Sequence, residues 1–447
     1  MREPLTGQPP MNQKFLAAAC ALFLLALSGA AARATTSNPA TEPLVEPANL
    51  VYEGSFQLPN IPCQSPTYAC FPYGGTALAY DPANNGLFIV GHIYGQLTAE
   101  VSIPTPATNS NPTALPTATL IQPFTNALEG NINAVNPTDP NPHYIGGQLV
   151  YDGRLIISVY SYYDGAGTQS TSHFARPLNL ATATPFVGPV KVGNLYPGFV
   201  SGYMTPVPPE WQSLLGGPAL TGNCCLAIAG FQSNGPSVSV FNPDDIGTVN
   251  PVPATVLVGY PHSNPLGTGW GTTNNLYNGS TSITGIAFPS GTRSVLFFGS
   301  QGIGPFCYGP GTTNTSLAGT TAPDGDPWCY DPSNSSKGTH AFPYVDQVWA
   351  YDANDLLQVK NGSEQDYQVT PYKVWTLTLP YNNPNGTNRI GGVAYDPANN
   401  SLYISESCVY NNCTPVIDVY QVQMNPQAGS TTSGSNTPSA PTNVAVQ

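Results

Sequence analysis

Apolar and polar positions alternate along this chain in short runs, and Gly, Pro, Asn or Asp breaks each run. A period of two predicts strands, and the punctuation predicts tight turns between them. The clearest case occurs twice. Gly75–Val90 and Gly392–Ser405 share the phrase Ala-Tyr-Asp-Pro-Ala-Asn-Asn between two apolar runs. Pro presets φ in that turn and Asn tolerates left-handed backbone, so Asp81 and Asp396 read as turn formers.

Five hairpins of this kind are expected. They pair Gly75–Tyr80 with Leu87–Gly91, Gly147–Tyr151 with Leu155–Tyr160, Gly202–Val207 with Cys225–Gly230, Thr284–Phe288 with Val295–Gly299, and Val393–Tyr395 with Leu402–Ser405. Two more strands follow each of the first four: Glu100–Ile103 and Ala118–Gln122, Ser172–Arg176 and Val187–Val192, Ser237–Phe241 and Ala254–Val258, Gln347–Tyr351 and Tyr372–Leu379. The fifth hairpin has one follower, Val416–Val422, while Leu50–Leu58 is a strand without a hairpin partner. The expected fold class is all-β: a β-propeller of five four-stranded blades, the last closed by the N-terminal strand, which removes an exposed sheet edge.

On that plan one rim carries short turns. The other carries the long connections 59–74, 124–144, 259–281 and Ser300–Val345, with all five histidines on or beside it. Long loops on a rigid scaffold are where function concentrates, so this rim is the expected functional face. Tyr80, Tyr151 and Tyr395, on the inner strands, are expected to pack between blades.

Composition narrows the class. The net charge is −13, from 11 Lys and Arg against 24 Asp and Glu, which leaves no basic footprint for nucleic acid. Lys14, the apolar run Phe15–Leu27 and Ala32-Arg33-Ala34 read as a signal peptide over residues 1–34, placing the protein outside the cell or in a periplasm. Residues 35–48 read as a flexible leader, 49–425 as the propeller and 426–447 as a Ser/Thr/Gly-rich tail. No other stretch approaches the roughly 20 apolar residues of a membrane span.

Cys20 leaves with the signal, and eight cysteines remain as a disulfide framework. Local bridges Cys63–Cys70, Cys307–Cys329 and Cys408–Cys413 leave Cys224 and Cys225, either bridged to each other or part of a different connectivity.

Carboxylates on the loaded rim are few. Glu129, Asp164 and Glu406 are the candidates for the acid and base pair of a glycoside hydrolase. His143 is the candidate base of a His/Tyr polysaccharide lyase. His92, Tyr94, Tyr144, Tyr162, Tyr163, His173, Trp270, Trp328 and Arg389 are candidate ligand contacts, because flat rings with a polar handle stack on sugars. Asp324 and Asp326 form a short acidic turn that would suit Ca²⁺, the one cofactor considered. A secreted carbohydrate-active enzyme, first a hydrolase, is one reading. The alternative is a non-catalytic propeller that binds glycan or a partner protein at a cell surface or matrix.

Hairpins of the form Gly-Gly-x-Ala-Tyr-Asp…Leu-Tyr-Ile, with an N-terminal closing strand, resemble those of secreted β-propeller proteins. The expected blade count is similar to that of arabinanase/xylosidase-type glycosidases and five-bladed lectins. The resemblance spans residues 50–423 at the level of fold. It implies a polysaccharide or glycan ligand. The three-carboxylate signature of those glycosidases is absent: Tyr73-Gly74-Gly75 stands where an Asp would open the first inner strand.

Overall fold

The computed structural model describes Met1 and residues 38–382, 389–410 and 412–424. The expected signal peptide, the first residues of the leader and the tail lie outside the described residues. The compact unit starts at Pro39. Its first strand is β1 (Leu50–Gln57).

Four sheets then follow in chain order, each four-stranded and antiparallel. The first holds β2 (Thr76–Asp81), β3 (Gly86–Val90), β4 (Thr98–Ser102) and β5 (Leu120–Thr125). The second holds β6 (His143–Tyr151), β7 (Arg154–Ser161), β8 (His173–Pro177) and β9 (Val187–Val190). The third holds β10 (Met204–Pro206), β11 (Ala219–Thr221), β12 (Val238–Phe241) and β13 (Ala254–Val258). The fourth opens with β14 (Ser282–Ala287) and β15 (Ser294–Gly302). An insert with its own small sheet interrupts it: β16 (Cys307–Thr312), β17 (Cys329–Tyr330) and β18 (Lys337–His340). It resumes with β19 (Tyr344–Asp352) and β20 (Lys373–Thr376). A fifth sheet has the order β1, β23 (Thr414–Val422), β22 (Ser401–Tyr410) and β21 (Ile390–Asp396), so the N-terminal strand completes the C-terminal sheet as expected.

Alternation within each strand sets how the sheets stack. Leu87 and Ile89 of β3 meet Ala394, Tyr403, Ile417 and Val419 of the fifth sheet. Phe88 and Val90, on the opposite face, meet Ile145, Leu155, Ile157 and Val159 of the second. The same division recurs at the remaining junctions. Leu149 and Ile156 join Met204 and Phe241, Leu220 and Val240 join Phe297 and Trp349, and Phe298 and Val348 join Leu402 and Ile404. Each of the five four-stranded sheets thus packs on both faces, and a fully buried side chain such as Phe88 contributes about 2–3 kcal/mol by area removed from water.

The first strands approach one another closely, which explains the glycine doublets. A Cβ at Gly147 would lie 2.0 Å from the Gly202 carbonyl oxygen. The tyrosines expected between sheets are there: Tyr80 stacks on Tyr403 at 5.9 Å, and Tyr395 accepts the Ser290 N–H at 2.7 Å.

The third hairpin differs from its expected form. β10 pairs with β11, and Cys225–Gly230 forms no strand. Pro208-Pro209-Glu210-Trp211 starts a short helix, α1 (Pro209–Leu215), whose Trp211 is fully buried, and the return strand follows directly. A second helix, α2 (Ala353–Lys360), is N-capped by Asp352, whose side chain accepts the Asn354 N–H at 2.9 Å.

The leader expected to be flexible is fixed over its described part. Val45 is fully buried in the core between the fourth and fifth sheets. Its N–H donates to Ser294 Oγ at 2.8 Å, and Tyr372 donates to its carbonyl at 2.7 Å.

Candidate functional site

The long connections converge on a cavity of about 850 Å³, on the rim expected to carry function. Its walls come from the β7–β8 loop (Tyr162, Tyr163), the β11–β12 loop (Asn223, Cys225, Gln232), the β13–β14 loop (Trp270, Tyr277, Thr281) and the β16–β18 insert (Tyr308, Asn334, Lys337). Tyr344 and Arg389 complete it. Hydroxyls and amides alternate with aromatic rings. Among the described lining residues there is no carboxylate and no histidine.

Local packing holds the rings. Trp270 meets Phe306 edge-on at 5.3 Å, and the Gly279 N–H donates to its carbonyl at 2.7 Å. A Cβ at Gly279 would stand 2.5 Å from the indole, so only glycine lets the loop lie against that ring. The Arg389 guanidinium lies 4.4 Å above the Tyr344 ring, a cation–π arrangement. Tyr344 donates to Asp331 Oδ2 at 2.7 Å, and His340 Nδ1 lies 2.8 Å from the same oxygen. Burial pushes the Asp331 carboxyl up, but hydrogen bonds from His340, Ser333 and Tyr344 outweigh it and hold it at about 2. This network fixes the Tyr344 ring from behind the wall.

The three expected local disulfides form, and the neighbours Cys224 and Cys225, left open by the sequence, bridge each other. Cys225 has φ +60° and lines the cavity, with its sulfur 4.0 Å from Ser282 Oγ.

None of the four candidate catalytic residues lines this cavity. Glu129 accepts from the buried Arg176 at 2.9 Å. Asp164 closes its own loop, accepting from Thr168 N–H at 2.8 Å and Gln169 N–H at 2.9 Å. Glu406 is fully buried beside Asp418. His143 is buried with Nδ1 on Asn133 Oδ1 at 3.0 Å. Burial lowers its pKa, against the opposing pull of Asp139 and Asp164. His143 lies near Asp164, but none of the four reaches the cavity.

The ligand-contact candidates divide. Tyr162, Tyr163, Trp270 and Arg389 line the cavity. Tyr94, Tyr144 and His92 lie on the same rim beside it, in an aromatic group with Tyr162. Trp328 lies in the insert, and its N–H donates to the Thr320 carbonyl at 2.8 Å, away from the cavity lining. His173 corrects the expectation outright. It is fully buried between Ser172 and Thr221, at 2.8 and 3.1 Å, and burial pushes it down to about 3. It is a core residue because β8 turns it inward.

Asp324 and Asp326 both hold the Lys337 ammonium, at 3.0 and 2.5 Å. Ca²⁺ takes 6–8 oxygen ligands. Among the described residues no group of three or more His, Cys, Asp or Glu is placed to hold a metal. Two carboxylates already neutralised by a lysine do not fit that ion, and no chemistry is routed through it.

Tyr344, Lys337 and the hydroxyl-rich walls were not among the candidates. Their signal is compositional: Asn278-Gly-Ser-Thr-Ser282 and Ser333-Asn-Ser-Ser336 are runs of neutral polar residues on the two longest loops.

No family model matches this chain, and no curated protein does either. Among solved structures, a luciferin-regenerating enzyme is similar at 7% identity over 85% of this chain and 95% of that one, with a TM-score of 0.33. A candidate glycoside hydrolase from Parabacteroides distasonis gives 11%, 87%, 100% and 0.35, in the same order. Raptor from Chaetomium thermophilum gives 9%, 83%, 29% and 0.27. Overlap this low identifies neither a family nor an activity.

Proposed function

We propose that this chain is a secreted five-bladed β-propeller that binds a glycan in the aromatic cavity and does not cleave it. The cyclic run of five buried junctions and the pairing of β1 with β23 support the blade reading. Four disulfides suit an oxidising compartment, and no helix among the described residues is long and apolar enough to cross a membrane.

One observation carries the functional reading: a cavity of about 850 Å³ faced with Tyr, Trp, Ser, Thr, Asn and Gln, with Lys337 and Arg389 at its wall and with neither carboxylate nor histidine among its described lining. Rings take the C–H faces of sugars, while amides and hydroxyls take their hydroxyl groups. A hydrolase needs two carboxyls facing the bond, about 5–5.5 or 6.5–9.5 Å apart. Of the nearby acids, Asp331 and Asp346 are buried behind the wall, each accepting hydrogen bonds from the protein, and Asp324 and Asp326 are paired with Lys337.

The test is an array of neutral and uronate-containing polysaccharides, read for retained protein, new reducing ends and unsaturated uronate. Retention without either product is expected. No retention on any glycan overturns the ligand class, and product formation overturns the non-catalytic part.

A further inference from the structure

We infer that the binding surface continues out of the cavity along an arc of aromatic rings on the first and second sheets, and that the ligand is a linear polysaccharide held in mid-chain; this rests on the glycan reading above. The arc starts at the cavity wall, where Tyr162 and Tyr163 belong to the lining. Tyr162 meets Tyr144 edge-on at 6.0 Å. Tyr144 neighbours Tyr94 across the junction between the two sheets, where Gln96 Oε1 accepts the Ile145 N–H at 2.7 Å. Tyr94 then packs on His92 at 5.2 Å and Tyr68 at 5.6 Å, and His92 reaches Tyr73 at 5.5 Å. The steps between rings are comparable to the length of one sugar residue.

Four of these rings are presented to solvent, while Tyr68 and Tyr144 are half-buried and His92 is buried among them. Tyr73, Tyr94, Tyr162 and Tyr163 are 56%, 73%, 45% and 53% exposed. The loops hold them there: Tyr68, Tyr73 and Gln96 all have positive φ, between 48° and 56°, and the Cys63–Cys70 bridge closes one loop at its base. His92 is fixed by accepting the Tyr94 N–H on Nδ1 at 3.1 Å. The arc offers rings and an amide and no charged side chain. It lacks the cations a nucleic acid needs, and it is continuous with a cavity whose aromatic and hydroxyl walls also carry Lys337 and Arg389. A sugar polymer fits both parts at once.

The experiment is calorimetric titration of the full chain with two size series, xylan-derived and polygalacturonate-derived, each from disaccharide to octasaccharide. Affinity is expected to rise with length, by about three- to tenfold for each ring newly engaged. Tyr94→Ala and Tyr73→Ala should remove that gain for the longest sugars and leave the disaccharide unchanged, while Tyr308→Ala, in the cavity, weakens every length. Affinity independent of length, with both arc variants neutral, overturns the track and leaves cavity binding standing. Absence of binding at every length overturns the track together with the glycan reading. Concentration-dependent dimerisation lost in Tyr94→Ala would assign the arc to a second copy of this chain and overturn it too.

Discussion

The carboxyl groups of Glu406 and Asp418 lie within hydrogen-bonding reach of each other, both fully buried. Asp418 Oδ1 accepts from Ser55 Oγ at 2.5 Å, while Oδ2 meets no other donor, so the pair is satisfied when it holds a proton. Burial first, then the charge of Glu406, raises Asp418 well above the ordinary carboxylate range. Burial also raises the neighbouring Asp346 to about 7. Tyr52, Tyr381 and Tyr420 surround the pair, and Ser55 belongs to β1, the strand that closes the fifth sheet.

Stability should therefore fall as pH rises. A group whose folded pKa is raised contributes stability that is complete below its unfolded value, about 3.9 for Asp, and is lost as pH climbs through the folded value. The loss begins near pH 4 and passes through Asp346 at about 7, and Asp418, raised by burial and by the charge of Glu406, acts in the same direction. Thermal melts across that window should show Tm decreasing with pH. Asp418→Asn, which supplies a permanent donor to Glu406, should flatten the alkaline side. A Tm that rises between neutral and alkaline pH would contradict this account.

Glu129 anchors structure. Arg176 is almost fully buried and donates to Glu129 at 2.9 Å and to the carbonyls of Ala127, Leu180 and Thr182 at 3.1, 2.9 and 3.0 Å. Removing one partner of a buried pair leaves the other charge uncompensated. Glu129→Gln, which leaves the buried Arg176 guanidinium without its counter-charge, should cost about 3–5 kcal/mol in denaturant unfolding. Arg176→Met leaves a partly solvated carboxylate, so it should lose less of its cost to unpaired charge and more to the carbonyls left without a donor. Ligand affinity of the folded Glu129→Gln protein should be unchanged; its loss would return Glu129 to the site.

The repeated turns behave alike. Asp81 accepts from Ala83 N–H at 3.0 Å and Asn84 Nδ2 at 3.2 Å, and Asp396 from Ala398 N–H at 2.9 Å and Asn399 Nδ2 at 2.8 Å. Both carboxylates are buried on the rim away from the cavity. Asp81→Ala and Asp396→Ala should each cost about 1–3 kcal/mol of stability, read from denaturant midpoints, with binding intact.

The sheets were legible because most strands are short apolar runs that end at a turn residue, so the strand order and the closing role of Leu50–Gln57 follow from pattern alone. The third hairpin was not, because the helix-starting Pro209-Glu210-Trp211 hides a three-residue return strand too short to show a period. The rim that carries the cavity could be read from loop length. The roles of its acids could not. Nothing local says that Asp164 caps its own loop, or that Glu129 meets an arginine 47 positions away. Glu406 likewise faces a second buried acid that pattern alone does not reveal. Those roles depend on contacts distant in sequence.

The central claim is that the aromatic cavity binds glycan without cutting it. Titration of wild type and Tyr308→Ala with the array polysaccharide that retains most protein, followed by sizing of the recovered sugar, tests it most directly. The account predicts saturable binding, about three- to tenfold weaker in Tyr308→Ala, with the sugar returned at its original length. Equal affinity in the two proteins, or a shortened sugar, would contradict it.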